Sequence, residues 1–243
     1  MISQKKLAAF LVAICFLSCS KEDTEVPTID ASCKIKKVVS PLSETIFSFN
    51  SDGKLHQIND SERGRHTYTY FDNTIVVYVE ENSGPKKITL TLNSQKQVIS
   101  RNIEVSPTVF SNAQFEYNGT QLITYQNSYS DGFELFVEYT WNQGNLKSIS
   151  MNGQLIREFE YYLDKPISEG DPYLFEQYFL YGEYPVVRSK NLIKSIIDHD
   201  LGVKIYNFEY TFDSDGRITT VTRVNEGEVV KSQYSYDCNK NST

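Results

Sequence analysis

The residue types that most often carry metal or acid–base chemistry are sparse in this sequence. Its three histidines, His56, His66 and His199, lie far apart along the chain. A zinc site usually combines histidine, cysteine or carboxylate ligands at short, regular spacing, and none of the three stands in such a pattern. We therefore interpret them as exposed or strand-face side chains and expect neither a metal nor a cofactor.

Two segments, residues 50–53 and 213–216, begin like a calcium-binding loop. They read Asn-Ser-Asp-Gly and Asp-Ser-Asp-Gly, which supply the first oxygen ligands and the glycine of such a loop. The loop also needs an acidic ligand at its twelfth position, where this chain has Ser61 and Val224. We therefore interpret both segments as turns.

A pair of carboxylates could serve a hydrolase. Glu158 and Glu160 alternate along one predicted strand and share a face, as the two acids of a glycosidase do. However, a chain with 31 Asp and Glu residues produces such pairs by chance. The sequence has no Gly-x-Ser-x-Gly elbow and no phosphate-binding glycine loop. We expect no enzyme, and a hydrolase is the third of three functional hypotheses.

Aromatic side chains are the most conspicuous candidates for binding. The chain has 17 Tyr, 14 Phe and 1 Trp, most of which must form cross-strand pairs in the core. Tyr173, Tyr181 and Tyr184 surround a predicted helix, and planar aromatic faces bind sugar rings and peptides. These three tyrosines are our candidate ligand-binding residues. The alternative is that they only seal one edge of the sheet.

The N-terminus predicts export. Lys5 and Lys6 precede an apolar run, residues 7–17, which is shorter than the roughly 20 residues of a transmembrane helix and fits a secretory signal. The run ends in Phe-Leu-Ser-Cys, which resembles a bacterial lipobox, although the usual leucine is replaced by Phe16. The resemblance implies removal of residues 1–18, acylation of Cys19 and attachment to the lipid bilayer.

Residues 19–32 are expected to form a flexible acidic linker. The start of this segment, Ser-Lys-Glu-Asp-Thr-Glu, resembles the export tag that sends Bacteroidetes lipoproteins to the outer face of the outer membrane. The periplasmic face is the alternative location. Without residues 1–18, 22 Lys and Arg face 31 Asp and Glu, a net charge of −9. So acidic a chain has no general attraction to nucleic acid, and we expect no such partner.

Two cysteines, Cys33 and Cys238, remain near the two ends of the predicted folded domain, residues 33–243. In an exported protein such a pair forms a disulfide, which would place the first and last strands side by side. The alternative is two free thiols.

The rest of the chain reads as repeated β-hairpins. Residues 47–58 and 210–221 align position for position, and each contains an aromatic-x-aromatic strand, a glycine turn and a returning aliphatic strand. Residues 139–149 are a version one residue shorter, and residues 115–123 and 90–99 are weaker copies. Stacking such hairpins buries a continuous face that one hairpin could not bury alone.

One segment departs from this pattern. Asp171 precedes Pro172, and Gly182 follows about ten residues later, which predicts a short helix over about 172–181. The segment 210–218, aromatic-x-aromatic-Asp-x-x-Gly-Arg-Ile, resembles the YD repeat of Rhs-type proteins. The whole chain resembles a Bacteroidetes outer-membrane lipoprotein family of unknown function whose fold is described as porin-like. That resemblance implies a strongly curved or nearly closed antiparallel sheet and no known activity.

We therefore predict a single all-β domain, an antiparallel meander of hairpins that is strongly curved or barrel-like, with the helix on its concave side. The predicted strands, of six to nine residues, are shorter than the roughly 9–11 of a membrane-spanning strand, so we do not expect the barrel to cross the bilayer. The first functional hypothesis is a surface lipoprotein that binds an extracellular glycan or peptide. The second is a structural component that docks on another envelope protein.

Overall fold

A computed structural model describes residues 33–81, 84–200 and 202–238. The predicted signal peptide, the lipidation site Cys19 and the acidic linker lie outside these residues. The described chain forms a closed antiparallel barrel of 16 strands, and each strand pairs with its neighbours in sequence. The predicted all-β, barrel-like fold is therefore confirmed, and the sheet closes completely.

The elements, in chain order, are β1 Cys33–Val39, β2 Glu44–Phe49, β3 Leu55–Asp60, β4 Gly64–Tyr70, β5 Thr74–Glu81, β6 Gly84–Leu92, β7 Val98–Ser106, β8 Val109–Asn118, β9 Gln121–Tyr129, β10 Glu134–Asn142, β11 Asn145–Met151, β12 Gln154–Pro166, α1 Pro172–Tyr181, β13 Asn191–Asp198, β14 Lys204–Phe212, β15 Ile218–Asn225 and β16 Glu228–Cys238. Strands β8, β12 and β16 have 10, 13 and 11 residues. The expected upper limit of nine residues is therefore wrong for these three strands.

The two ends of the barrel differ in their connections. We call the end that carries Cys33 and Cys238 the proximal end. Because consecutive strands alternate in direction, this end also holds the long connection 167–190 and the turns at 50–54, 71–73, 93–97, 119–120, 143–144 and 213–217. The opposite, distal end holds the turns at 40–43, 61–63, 107–108, 130–133, 152–153 and 226–227.

A disulfide joins Cys33 and Cys238 across the seam of the barrel. The two residues are direct register partners where β1 pairs with β16. The bond closes a loop over a sequence separation of 205 residues. On the chain-entropy description of the unfolded state, so long a loop corresponds to a stabilisation of up to about 5 kcal/mol. The disulfide therefore reinforces the pairing that turns the sheet into a barrel.

The hairpin repeats predicted from the sequence share one structural irregularity. In each copy the register shifts just before the last aromatic or aliphatic residue of the outgoing strand, which is a β-bulge. The shifted residue then pairs with a buried aliphatic residue after the turn. These pairs are Phe49 with Leu55, Leu92 with Val98, Tyr117 with Leu122, Trp141 with Leu146, and Phe212 with Ile218.

Neighbouring repeats are linked by side-chain hydrogen bonds at these bulges. An aromatic side chain of one strand donates to the carbonyl of the buried aliphatic residue of the preceding hairpin. The bonds run from Tyr117 Oη to the carbonyl of Val98 (2.9 Å), from Trp141 Nε1 to that of Leu122 (2.8 Å) and from Tyr236 Oη to that of Ile218 (2.8 Å). Tyrosine and tryptophan at this position thus provide apolar area and also a donor for a carbonyl at the proximal end.

The core lies inside the barrel. Alternate strand residues point into the lumen and are mostly aliphatic or aromatic, and the most deeply buried of them are Leu55, Ile58, Tyr68, Ile75, Val77, Ile88, Leu90, Leu122, Leu146, Leu192, Ile193 and Ile218. Most outward positions are polar, and exposed apolar residues such as Tyr78, Ile205 and Val229 are interspersed among them. Lys87 pairs with Glu104 across β6 and β7, and Thr124 donates to Glu116 on the outer face of β8 (3.0 Å). A membrane-spanning barrel has the opposite pattern, with an apolar outer band.

The predicted helix is present over Pro172–Tyr181 and lies within the lumen. Its side chains contact strands from all round the barrel. Phe175 packs on Phe47 of β2 and Tyr234 of β16, and Tyr181 packs on Phe115 of β8. The helix therefore crosses the lumen and plugs it. No helix among the described residues is long and apolar enough to span a membrane.

We predict that Tyr117→Phe lowers the free energy of unfolding by about 1 kcal/mol, because it removes the bond to the carbonyl of Val98 while keeping the ring. Urea unfolding measures the change. Tyr78→Phe is the matched control, since Tyr78 lies on the outer face and is 52% exposed. Equal stabilities for the two variants would contradict the structural role of the inter-hairpin bond.

Candidate functional site

The distal half of the lumen contains an open cavity above the helix. Its volume is 540 Å³, and it is bounded by residues of β1 to β3, α1 and β12 to β16. Turn residues at the distal end, among them Ser40, Leu42 and Glu62, form its rim. We call this cavity the cup. Its floor consists of Pro172, Tyr173, Phe175 and Glu176, and its wall includes Arg157, Asp198, Tyr206, Phe208, Arg223 and Tyr234.

The floor is oriented by the cap at the start of the helix. One carboxylate oxygen of Asp171 accepts hydrogen bonds from the backbone N–H groups of Tyr173 and Leu174, both at 3.1 Å. The other oxygen accepts one from the backbone of Ile193 on β13, also at 3.1 Å. Burial raises the pKa of Asp171 to about 6, while the three bonds act in the opposite direction. The cap therefore fixes the first turn of the helix to the barrel wall.

The opposite side of the helix is fixed to the connection that follows it. The side chain of Gln177 accepts from the backbone N–H of Val187 (2.8 Å) and donates to its carbonyl (2.6 Å). Because Gln177 is buried on this side, Glu176 and Leu180 remain exposed on the side that faces the distal end. The helix thus presents a defined stripe of side chains to the distal end of the lumen.

Aromatic rings supply much of the inner surface of the cup. Tyr173 packs edge-on against Phe159, with ring centroids 5.2 Å apart, and the ring of Tyr206 lies beneath the guanidinium of Arg223 at 5.6 Å. Tyr234 lies against Phe175 at 6.1 Å. These contacts hold each ring in one orientation. A flat molecule entering the cup would meet preformed aromatic faces.

Charged groups on the wall are held in place by one another. Arg157 donates twice to the carboxylate of Asp198, at 2.7 and 3.1 Å. The carboxylate of Asp60 accepts from the hydroxyl of Thr45 at 2.6 Å and from two backbone N–H groups of the following turn. Arg223 forms no ion pair within the part of the chain that the structure describes. The cup therefore combines fixed acceptors and donors with one guanidinium that is open to a ligand.

A second cavity of 490 Å³ lies beside the cup at the distal end. Both cavities are lined by Glu62, Arg63 and Glu176. Arg63 and Glu176 form a bidentate ion pair, with nitrogen–oxygen distances of 2.7 and 2.9 Å, and the guanidinium rests on the ring of Phe179 at 4.5 Å. We call this pair the crossbar. An exposed ion pair of this kind contributes only about 0–1 kcal/mol to the stability of the fold. A ligand that spans both cavities could therefore displace the crossbar.

The three tyrosines predicted to bind a ligand lie in different places. Tyr173 forms part of the floor of the cup. Tyr181 is only 7% exposed and bonds to the buried Arg101, so its ring offers no accessible face to a ligand in the cup. Tyr184 is half-buried after the helix, where its backbone N–H donates to the carbonyl of Tyr181, and it does not line the cup. Closure of the barrel buries the end of the helix, which a sheet with an open face would have left accessible.

The carboxylate pair considered for a hydrolase lies outside the lumen. A carboxylate oxygen of Glu158 lies 3.0 Å from Nε2 of His199 on the outer face, and Glu160 accepts a hydrogen bond from Ser195 at 3.1 Å. Neither residue lines the cup. The segments 50–53 and 213–216 form hairpin turns, as predicted, in which Gly53 and Gly216 both have φ of 79° and donate to the carbonyls of Asn50 and Asp213.

Sequence reasoning missed Arg157, Tyr206 and Arg223 as residues of the cup. Each occupies an inward position of its strand, but nothing in its local sequence separates it from an ordinary strand residue. Strand alternation around Phe208 and Val221 identifies the inward face. It does not show that β12, β14 and β15 surround the same cavity.

No protein-family model matches this chain, and no curated protein matches it in sequence. A porin-like protein from Bacteroides uniformis is among the solved structures that match, with a TM-score of 0.64 and 17% sequence identity. The match covers 87% of this chain and 99% of that chain. At this identity the likeness shows a shared barrel fold.

His66 on β4 lines the second cavity and is buried, with 3% of its surface exposed. Its Nδ1 lies 3.1 Å from the carbonyl oxygen of Phe179, to which a neutral ring can donate, while its Nε2 has no partner within the described chain. Burial lowers the pKa of His66, and the nearby carboxylates of Glu81 and Asp60 act in the opposite direction. The neutral imidazole is therefore favoured in the folded barrel.

We predict that the barrel loses stability as the pH falls from 7 to 5 and that His66→Gln reduces this loss. The unfolded histidine takes up a proton near pH 6.5, whereas the folded ring resists protonation, so acid favours the unfolded chain. Urea unfolding at both pH values measures the effect. His56→Gln is the control, because His56 is exposed on the outer face. An unchanged pH dependence in His66→Gln would contradict the prediction.

Proposed function

We propose that this chain is a lipid-anchored, non-catalytic binding protein of the bacterial envelope that takes an extracellular glycan into the cup. The observation that supports this most strongly is the cavity itself. Its 540 Å³ lies within the range of about 300–1,000 Å³ that is usual for small-ligand sites. It also joins aromatic rings to a few fixed polar groups, which is the composition such sites have.

A glycan fits this surface better than a peptide. The faces of Tyr173 and Tyr206 offer flat apolar contacts for sugar rings, and the Arg157–Asp198 pair offers fixed donors and acceptors for hydroxyl groups. Extended peptides are often bound by pairing with a free sheet edge. The barrel is closed, so its described strands offer no such edge. The adjoining 490 Å³ cavity would extend the site for a longer saccharide once the crossbar opens.

The anchor and the cup lie at opposite ends of the barrel in this proposal. The first strand begins at Cys33 on the proximal end, and 13 residues separate Cys33 from the predicted lipidated Cys19. This linker spans at most about 45 Å. A lipid at Cys19 would therefore hold the proximal end near the membrane and leave the cup directed away from it, toward an exterior ligand.

The outer face of the barrel supports a position outside the bilayer. Charged residues such as Lys87, Glu104 and Glu138 are exposed at outward strand positions. Placing such charges in hydrocarbon costs roughly 2–4 kcal/mol for each lysine or arginine at the midplane. We propose that the lipid on Cys19, and not the barrel, makes the contact with the outer membrane.

The state of the carboxylates in the cup supports a binding role over hydrolysis. Asp60, Glu176 and Asp198 each accept hydrogen bonds from neighbouring groups that hold the site together. A catalytic pair needs one acid that is free to protonate a leaving group. Glu176 and Asp198 instead pair with Arg63 and Arg157, and Asp60 binds the hydroxyl of Thr45 and the backbone of the turn at 61–63.

We predict that a glycan identified from a panel of oligosaccharides raises the melting temperature of the unlipidated chain, made with Cys19→Ser and without residues 1–18. Tyr206→Ala should weaken its affinity about tenfold or more, since the substitution removes an aromatic face and the support of Arg223. Calorimetric titration measures the affinity. Tyr78→Ala on the outer face should bind as the wild type does, and a panel without any saturable binding would reject the glycan proposal.

The alternative function, docking on another envelope protein, is favoured by one observation. Exposed apolar residues are grouped at the distal end of β7 to β10. They are Val105, Val109, Phe110, Tyr129 and Phe133, with exposed fractions of 45, 51, 39, 38 and 54%. Neighbouring exposed apolar side chains often mark an interaction surface. We call this group the distal rim.

If the distal rim docks on a partner, Val109→Ser with Phe133→Ser should abolish co-purification of that partner after chemical cross-linking on intact cells. The double variant removes apolar area at the contact and should leave glycan binding unchanged, because neither residue lines the cup. Quantitative mass spectrometry of the cross-linked material measures the loss. Phe71→Ser is the control, since Phe71 is 60% exposed at the proximal end. Unchanged recovery from the double variant would reject the docking role of this rim.

A further inference from the structure

A second polar cluster lies deep in the lumen, at the end of the helix. Arg101 on β7 points inward and is 8% exposed. Its Nη1 donates to Tyr181 Oη at 3.0 Å and its Nη2 donates to Tyr125 Oη at 2.6 Å. Arg101 forms no ion pair with any residue that the structure describes. A buried guanidinium without a counter-charge is costly, so Arg101 requires a compensating group.

The two tyrosines provide only part of that compensation. The Arg101 guanidinium lies 5.5 Å from the centroid of the Tyr125 ring and 5.8 Å from that of Tyr181, which is a favourable cation–π arrangement, but neither residue carries a negative charge. Burial raises the pKa of Tyr125 to about 12 and also raises that of Tyr181, so both hydroxyls carry their protons at neutral pH. Each hydroxyl accepts a bond from Arg101 and still has a proton to donate. Arg101 Nε is also buried without a partner among the described residues. The cluster therefore has a positive charge and more donors than acceptors.

Asn127 supplies an independent observation next to this cluster. Arg101 pairs with Ala113 on β8, and Ala113 pairs with Asn127 on β9, so the three residues form a row across adjacent strands. Asn127 is 1% exposed, and neither its Nδ2 nor its Oδ1 has a partner within the described chain. Asn127 also lies on the same strand face as Tyr125, two residues further along. A buried amide with both ends unpaired is uncommon and indicates a site for another polar species.

We propose that Arg101, Tyr125, Asn127 and Tyr181 form a buried binding site for one small monovalent anion, such as chloride or formate. The single guanidinium matches a single negative charge, and the N–H and O–H donors that would hold the anion come from β7, β9 and α1. Ala113, which is fully buried and has only a methyl side chain, lies between Arg101 and Asn127 in the row. The anion would neutralise the buried charge and fix the C-terminal end of the helix through Tyr181.

This site is separate from the cup. None of its four residues lines either distal cavity. The anion is therefore a structural ligand of the plug and not the extracellular ligand. Its binding should not depend on whether the cup takes a glycan, a peptide or neither.

The test measures the melting temperature of the Cys19→Ser chain without residues 1–18 at constant ionic strength, while sodium gluconate is replaced by sodium chloride or sodium formate. Gluconate, a six-carbon polyhydroxy anion, is much larger than chloride or formate. The wild type should gain roughly 5 °C or more at a hundredfold excess over the dissociation constant, and above that constant the gain should rise with the logarithm of the anion concentration. The absence of such a gain with both anions would overturn the proposal.

Two substitutions separate specific binding from general salt effects. Arg101→Met should abolish the gain, whereas Arg65→Met, which removes an exposed arginine paired with Glu80, should keep it. If Arg101→Met does not fold, Asn127→Leu keeps the guanidinium and should weaken the anion affinity severalfold. A gain in the melting temperature of Arg101→Met as large as that of the wild type would reject the site. An anion affinity of Asn127→Leu equal to that of the wild type would reject it as well. Crystals grown in sodium bromide should show an anomalous peak within hydrogen-bonding distance of Arg101, and a peak confined to the protein surface would also reject it.

Discussion

The need to fill a wide, apolar lumen is the constraint on which the rest of this structure depends. Eight strands enclose a space that side chains alone can fill, whereas barrels of about sixteen strands leave a channel. Here most of the inward residues are aliphatic or aromatic, so a water-filled channel would expose a large apolar surface. The connection 167–190 solves the problem by placing α1 across the lumen. Phe175 and Tyr181 reach strands on different sides of the barrel, which makes the helix part of the same core as the sheet.

Closure of the sheet and insertion of the helix support one another. The bulges before Phe49, Tyr117 and Phe212 recur at the proximal end, and side-chain bonds such as that of Tyr117 to Val98 tie one hairpin to the next. The disulfide between Cys33 and Cys238 joins β1 to β16, where the last hairpin pairs with the first strand and the barrel closes. A closed ring of fixed circumference then gives the helix a cavity of defined width. Because a barrel has no free edge, it also avoids the edge-to-edge association to which an open sheet is prone.

Local signals in the sequence were sufficient for the hairpins, the helix and the seam. Asp171 and Gly182 bound the helix because an N-cap carboxylate and a C-terminal glycine act on the nearest turn of backbone. Closure and strand number depend on the summed curvature of many hairpins, and the repeat pattern does not state that sum. The cup also depends on this summed curvature. Tyr173 was predicted as a binding residue because it belongs to the predicted helix. Tyr206 and Arg223 become neighbours of the helix only when the distant strands close around the helix.

The plug also explains why arginines in one lumen have such different surroundings. The helix divides the interior, so that Arg63 and Arg157 on its distal side can pair with carboxylates near water. Arg101, packed around Tyr181 at the far end of the same helix, has only hydroxyl groups to accept its bonds. A carboxylate beside Arg101 would have neutralised the charge at the cost of burying a second ion from the chain itself. A mobile anion can neutralise the same charge after the lumen has closed, which leaves the tyrosine rings free to complete the apolar packing that holds the helix in place.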